Sequence, residues 1–146
     1  MISLNFPLLF STFFYIGKVR YAPGTVASLV TLIIWLYLIP EDFLFRLIFV
    51  LLLAIAGFLS TKKSLSFFKE KDPQVIVIDE VVGMSISVLF ITDASIMVLA
   101  FFLFRILDIF KPSIIYYSQN YEGVQGIMID DIIAGICVLI LLINYI

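Results

Sequence analysis

Apolar residues dominate the chain from Val75 to Phe110, and an adjacent acidic pair, Asp79-Glu80, lies near the start of that run. The run is far too long for one membrane crossing, which takes about 20 residues. Its middle holds Thr92-Asp93-Ala94-Ser95, a polar tetrapeptide suited to a turn and a helix cap. The run is therefore expected to fold as a helical hairpin, roughly Val75 to Ile91 and Ser95 to Phe110, with Asp93 as a cap at the far turn. Each arm would measure about 24 Å, short for a full crossing. A charge at hydrocarbon depth costs about 2.5–3.5 kcal/mol, so two together need a cation, a basic partner or a water-filled pocket. A second pair, Asp130-Asp131, opens the last apolar run. The two pairs are expected to hold one metal site.

The surrounding sequence sets the setting for that site. With 146 residues the chain makes one domain, residues 1–146. Hydrophobic residues make up 63% and charged residues 14%, against about 45–50% and 25% in soluble domains. A soluble core of this size cannot absorb that excess, which points to an integral membrane protein. No basic stripe is present, so a nucleic-acid partner is excluded. Met1 to Ile16 is apolar but lacks a basic leader and a small-residue cleavage site, so it is expected to stay in the mature protein. The single cysteine, Cys137, is expected to be inert packing on an apolar helix.

In chain order, Asn5 to Ile16 reads as a Phe-rich helix interrupted early by Pro7. Gly17 to Thr25 is a break containing Pro23-Gly24, with Thr25 as the cap of the next helix. Lys18 and Arg20 suit either an anion at a helix start or a basic pair snorkelling at a membrane surface. Val26 to Ile39 and Phe43 to Ser60 read as apolar helices, separated by Pro40 and an acidic Glu41-Asp42 cap. The segment Thr61 to Gln74 carries Lys62, Lys63, Lys69 and Lys71, a cytoplasmic loop by the positive-inside rule. Tyr116, Tyr117 and Tyr121 suit an interfacial loop, and Ile132 to Ile146 a last helix. With the hairpin closed, four polar clusters arrive at one face: Lys18 to Thr25, Asp79 to Gly83, Arg105 to Pro112, and Gly123 to Asp131.

The chain has no histidine, which removes His-based acid–base and phosphohistidine chemistry. It has no G-x-x-x-x-G-K-[ST] phosphate loop either. Carboxylates, lysines and arginines remain, and all-oxygen ligands select a hard cation such as Mg²⁺. Arg105, Asp108 and Lys111 follow i, i+3 steps, sharing a face as part of a site or as an interfacial ion-pair ladder. Gly83 and Gly135 each follow an acidic residue, Asp79 and Asp131, by four positions. They serve close helix packing or clear space above the carboxylates. Neighbours on a helix point about 100° apart. One member of each pair can therefore be a ligand, and the other a cap or an outer group.

Four blocks carry a family resemblance: Tyr21-Ala22-Pro23-Gly24-Thr25; Asp72-Pro73 leading to Val77-Ile78-Asp79-Glu80-Val81-Val82-Gly83-Met84; Phe104-Arg105-Ile106-Leu107-Asp108-Ile109-Phe110-Lys111-Pro112; and Gly123-Val124-Gln125-Gly126-Ile127-Met128-Ile129-Asp130-Asp131 with Ala134-Gly135. In that order they resemble the phosphatidylglycerophosphatase A family. The resemblance implies an all-α, compact membrane-embedded bundle of about five to six short helices, with its site at the cytoplasmic face of the bacterial inner membrane. It implies a Mg²⁺-dependent phosphatase that converts phosphatidylglycerophosphate to phosphatidylglycerol. Asp79, Glu80, Asp130 and Asp131 would then position Mg²⁺. Asp79, Asp108 and Asp131 would be catalytic, with Asp108 a further ligand or a base. Lys18, Arg20, Thr25, Arg105 and Lys111 would bind the phosphate. Two departures stand out: the family's glycine-rich lead-in is reduced to Gly17-Lys18-Val19-Arg20, and Ala27-Ser28 replaces a common Gly-Ser.

Two other classes give different expectations. A small transporter using carboxylate relays would spread them through the membrane depth and need no divalent metal. A structural membrane subunit would tolerate amide replacement of the acidic pairs.

Overall fold

The computed structural model describes residues 5–112 and 123–145; Tyr116, Tyr117 and Tyr121 lie outside them. The described residues form six α-helices and no strand: α1 (Phe6–Ser11), α2 (Pro23–Tyr37), α3 (Phe43–Ser64), α4 (Ile78–Ser87), α5 (Ala94–Phe110) and α6 (Val124–Leu141). Single 3₁₀ turns occur at Ile16–Lys18, Leu65–Phe67 and Ile143–Tyr145. The all-helical expectation holds, and so does the hairpin of α4 and α5. Asp93 caps α5 by accepting from the backbone N–H groups of Ser95 at 2.8 Å and Ile96 at 3.0 Å. Asp42 caps α3 in the same way, accepting from Phe45 N–H at 2.7 Å.

Several boundaries differ from the sequence reading. Helix α1 ends at Ser11 rather than Ile16, because Phe13, Phe14 and Tyr15 turn to positive φ, and Pro7 sits in its first turn instead of interrupting it. Helix α2 starts at Pro23, because proline's fixed φ suits a first helical position. Ala22 precedes it at φ 47°, so Thr25 lies inside the first turn and is not the cap. Helix α3 continues to Ser64 because Lys62 and Lys63 propagate a helix well and favour its negative C-terminal end. The first arm of the hairpin shrinks to the ten residues of α4. Tertiary bonds claim its flanks: Val77 N–H donates to the Ser11 carbonyl at 3.0 Å, and the Ile91 carbonyl accepts from Arg46 at 2.6 Å. Helix α6 runs unbroken from Val124 through Asp130-Asp131, which therefore sit in its second turn rather than at its start.

Helix α4 is the axle of the bundle. Ile78, Asp79, Val81, Val82, Gly83, Met84, Ser85 and Ser87 on it are all buried. One apolar cluster, including Trp35, Met84, Val88, Met97, Phe104 and Val138, surrounds its C-terminal half. A second, including Ala27, Ile78, Val81, Val82 and Met128, surrounds its N-terminal half. Each fully buried side chain of this size contributes about 1.5–3 kcal/mol. Two large polar side chains within these layers are paired: Trp35 Nε1 donates to Ser85 Oγ at 3.0 Å, and buried Arg46 bridges the carbonyls of Pro40 and Ile91.

The outer surface is also apolar. On α3, Leu51, Leu52, Ile55 and Leu59 are each more than half exposed. Two helical stretches, Phe43–Phe67 and Val124–Leu141, are long and apolar enough to cross a membrane. Helix α4, at about 15 Å, is not long enough to do so. It is wrapped by the longer helices, and this arrangement lets its N-terminal end carry charge.

Candidate active site

The N-terminal turns of α2 and α4, the C-terminal end of α5 and the second turn of α6 close around a cavity of about 420 Å³. Its wall includes Thr25, Asp79, Glu80, Arg105, Asp108, Lys111, Asp130 and Asp131. The geometry that assembles it begins at two glycines. A Cβ on Gly83 would lie 2.6 Å from the Asp131 carbonyl and 2.7 Å from the Phe104 ring. A Cβ on Gly135 would collide with the Gly83 carbonyl oxygen. Backbone thus packs on backbone where α4 and α6 meet. Asp79 and Asp131 each lie one turn before that contact, on helices that run in the same direction.

The close approach brings three carboxylates together. One oxygen from each of Asp79, Glu80 and Asp131 lies within 4.8 Å of the other two. Asp79 and Asp131 are only 9% and 3% exposed. Asp79 Oδ1, Glu80 Oε2 and Asp131 Oδ2 are buried with no hydrogen-bond partner among the described residues. Such oxygens are costly unless something positive satisfies them. The first turn of α2 closes over them: a side chain at Gly24 would strike Glu80 Oε1. Three oxygen donors, mutually repelling and otherwise unsatisfied, fit a hard divalent cation such as Mg²⁺.

The cationic groups of the site come from the C-terminal end of α5. Arg105 Nη1 pairs with Asp108 at 2.6 Å and donates to Ser28 Oγ at 3.5 Å. Arg105 Nε is buried and has no partner among the described residues. Lys111 does not extend this i, i+3 pair. As the C-cap of α5 it adopts φ 42°, and Nζ reaches across to Asp130 Oδ2 at 2.6 Å on α6. Burial pulls the Lys111 ammonium down, but the hydrogen bond and charge of Asp130, with Asp108 and Asp131 nearby, outweigh it. Lys111 is held above the ordinary lysine range. The other Asp130 oxygen accepts from Asp131 N–H at 3.0 Å. Asp130 is therefore engaged with Lys111 and the backbone, while the three unsatisfied oxygens belong to Asp79, Glu80 and Asp131.

Lys18 and Arg20 stand apart from the cavity wall. Both are exposed, with Lys18 Nζ 4.3 Å from the centre of the Tyr15 ring and Arg20 5.5 Å from that of Tyr21. Gly17 meets the Val75 carbonyl so closely that no side chain fits, which gives this loop a packing role beside the site. The structure adds wall residues to which the sequence reading gave no role: Asp72 and Ile127, both within the motif blocks, and Gln74 and Ile76. Ser28 is a further addition through its contact with Arg105. Asp72 and Gln74 fall in the lysine-bearing segment read as a solvated loop. The signals were Pro73 between them, which marks a fixed turn, and the presence of Asp72-Pro73 at the head of the second motif block.

The phosphatidylglycerophosphatase A family model matches residues 9–146. A Bacteroides thetaiotaomicron protein named "Putative phosphatidylinositol-3-phosphatase" is 37% identical over 93% of this chain and 91% of its own length. A phosphatidylglycerophosphatase A of Escherichia coli is 36% identical over 78% of this chain and 68% of its own length. That of Haemophilus influenzae is 36% identical over 92% and 86%. No solved structure shows significant similarity. With its four motif blocks gathered around one acidic and basic cavity, the chain belongs to the phosphatidylglycerophosphatase A family.

Proposed function

We propose that the chain hydrolyses the terminal phosphomonoester of phosphatidylglycerophosphate in a Mg²⁺-dependent reaction, yielding phosphatidylglycerol and phosphate. The observation that carries this reading is the trio of unsatisfied buried oxygens on Asp79, Glu80 and Asp131, which shares one cavity with Arg105 and Lys111. Those three carboxylates would hold Mg²⁺, with Asp130 placed behind them. When bound, the ion supplies charge neutralisation at the phosphoryl oxygens and a bound water of lowered pKa. The chain's own cations do the rest. Arg105 and Lys111 meet the remaining phosphate oxygens and the charge that builds in the transition state. Asp108 orients the Arg105 guanidinium, and Thr25 adds a hydroxyl at the first turn of α2.

The apolar outer faces of α3 and α6 support an integral, multi-pass membrane protein whose acyl-chain substrate approaches from the lipid. Lys62 and Lys63 end α3, and the segment after them leads to Asp72 and Gln74 on the cavity wall. By the positive-inside rule this supports a site facing the cytoplasmic side of the bacterial inner membrane. The carboxylates cluster at one end of the bundle rather than spreading through its depth, which favours a site over a relay. The Bacteroides relative supports a second reading, a phosphoinositide monoester as substrate.

The test is phosphate release in detergent micelles from phosphatidylglycerophosphate and from phosphatidylinositol 3-phosphate, with Mg²⁺ and with EDTA. Mg²⁺-dependent release from the glycerol lipid is expected. Release from the inositol lipid alone would replace the substrate, and equal release in EDTA would remove the metal.

A further inference from the structure

The cavity wall has a part that neither the cation nor the phosphate explains. Asp72 and Gln74 both face it, and both are exposed at its mouth. The residue between them, Pro73, is buried, and its carbonyl accepts from Ile76 N–H at 2.9 Å. Two residues further on, the Val75 carbonyl packs against Gly17 and Val77 N–H is held by the Ser11 carbonyl. The segment is therefore pinned at the proline between the two polar residues and again just after them, and the mouth is shaped before a substrate arrives.

The chemistry of these two side chains is selective. An ionised carboxylate accepts hydrogen bonds and donates none. A phosphate oxygen also only accepts, so Asp72 opposes a phosphate placed against it. A carboxylate at the entrance to an anion site is useful if the substrate brings hydroxyl donors. Gln74 can both donate and accept, matching a hydroxyl from the other side. The substrate class that carries a terminal phosphomonoester and hydroxyls on the same headgroup is a polyol phosphate.

We infer that Asp72 and Gln74 form a hydroxyl-reading subsite that selects the polyol headgroup of the lipid. This rests on the proposed phosphatase reading. In phosphatidylglycerophosphate the group read is the secondary hydroxyl of the headgroup glycerol, between the phosphodiester and the phosphate that leaves. A site that pairs a hydroxyl with a charged acceptor penalises the analogue lacking it, by roughly tenfold to a hundredfold.

The experiment compares kcat/KM for phosphatidylglycerophosphate with that for its analogue in which the secondary hydroxyl is replaced by hydrogen. It is run in the same micelles on wild type, Asp72→Ala and Gln74→Ala, with circular dichroism to establish folding. Wild type is expected to prefer the hydroxylated lipid by about tenfold or more, and each variant to bring the ratio toward one. The two lipids carry the same charges. A general electrostatic effect of removing Asp72 therefore moves both rates and leaves the ratio alone, which would overturn the inference. A wild-type ratio near one would overturn it as well, while leaving the phosphatase reading standing. Wild type that releases phosphate from neither lipid would sink both.

Discussion

Gly135 of α6 lies against the carbonyl oxygen of Gly83 in α4 so closely that neither position has room for a side chain. Two of the three clustered carboxylates take their place from this contact, because Asp79 and Asp131 each sit one turn before their glycine. Substituting Gly135→Ala is expected to force the helices apart against backbone, which cannot yield as a flexible side chain can. The cost should reach about 1–3 kcal/mol, with activity lost alongside. Gly57→Ala is the control, since its Cβ would meet only side-chain atoms, the nearest at 3.3 Å. Thermal unfolding in detergent and phosphate release should separate the two variants. Equal behaviour would remove the glycine contact from the account.

The three buried oxygens make stability depend on what neutralises them. Saturating Mg²⁺ should raise the melting temperature of wild type, by about 2.7 kcal/mol of stabilisation at a hundredfold excess over Kd. Asp79→Asn and Asp131→Asn should abolish turnover. Each replaces a buried carboxyl group crowded by two others with a neutral amide, so each should also melt higher than wild type in EDTA. Full activity in either variant would take that residue out of the site.

Lys111 and Asp130 form a pair whose loss is expected to be non-additive. Lys111→Met leaves Asp130 buried beside other carboxylates and should cost about 1–3 kcal/mol. The double variant with Asp130→Asn should recover much of that stability without recovering activity. A double-mutant cycle on unfolding and on KM measures both.

The same pair sets an alkaline limit. The folded pKa of Lys111 is raised above its unfolded value. Its contribution is therefore complete below the ordinary lysine pKa, near 10.4, and is lost as pH rises through the folded value. Wild type should lose stability faster than Lys111→Met above about pH 10. Parallel melting curves from neutral to alkaline pH would decide it.

Basic residues inside and outside the cavity should separate sharply. Arg105→Ala should lower kcat/KM by at least about a hundredfold, as the loss of a phosphate-binding charge does. Lys18→Ala and Arg20→Ala should change it by no more than a few-fold, since both side chains are exposed beside tyrosines. A large fall in kcat/KM for Lys18→Ala would bring the first loop back into phosphate binding.

Much of this arrangement was legible in the residues. Apolar periodicity, the polar break at Thr92 to Ser95 and the caps at Asp42 and Asp93 depend on neighbours close in sequence, and these placed α3, α5 and the hairpin. Composition alone marked the acidic pairs as costly and so as a candidate cation site. The i, i+4 spacing of Asp79 to Gly83 and of Asp131 to Gly135 was visible too, but a spacing within one helix does not say which helix it meets. The tertiary structure decided that the two glycines meet each other. It also divided the pairs, leaving Asp131 with the unsatisfied oxygens and committing Asp130 to Lys111. It shortened α4 through bonds to Ser11 and Arg46, kept Lys18 and Arg20 off the cavity wall, and brought Asp72 and Gln74 onto it. Those outcomes turn on contacts between residues far apart in the chain, where side-chain reach and backbone clearance decide, and local pattern carries no record of either.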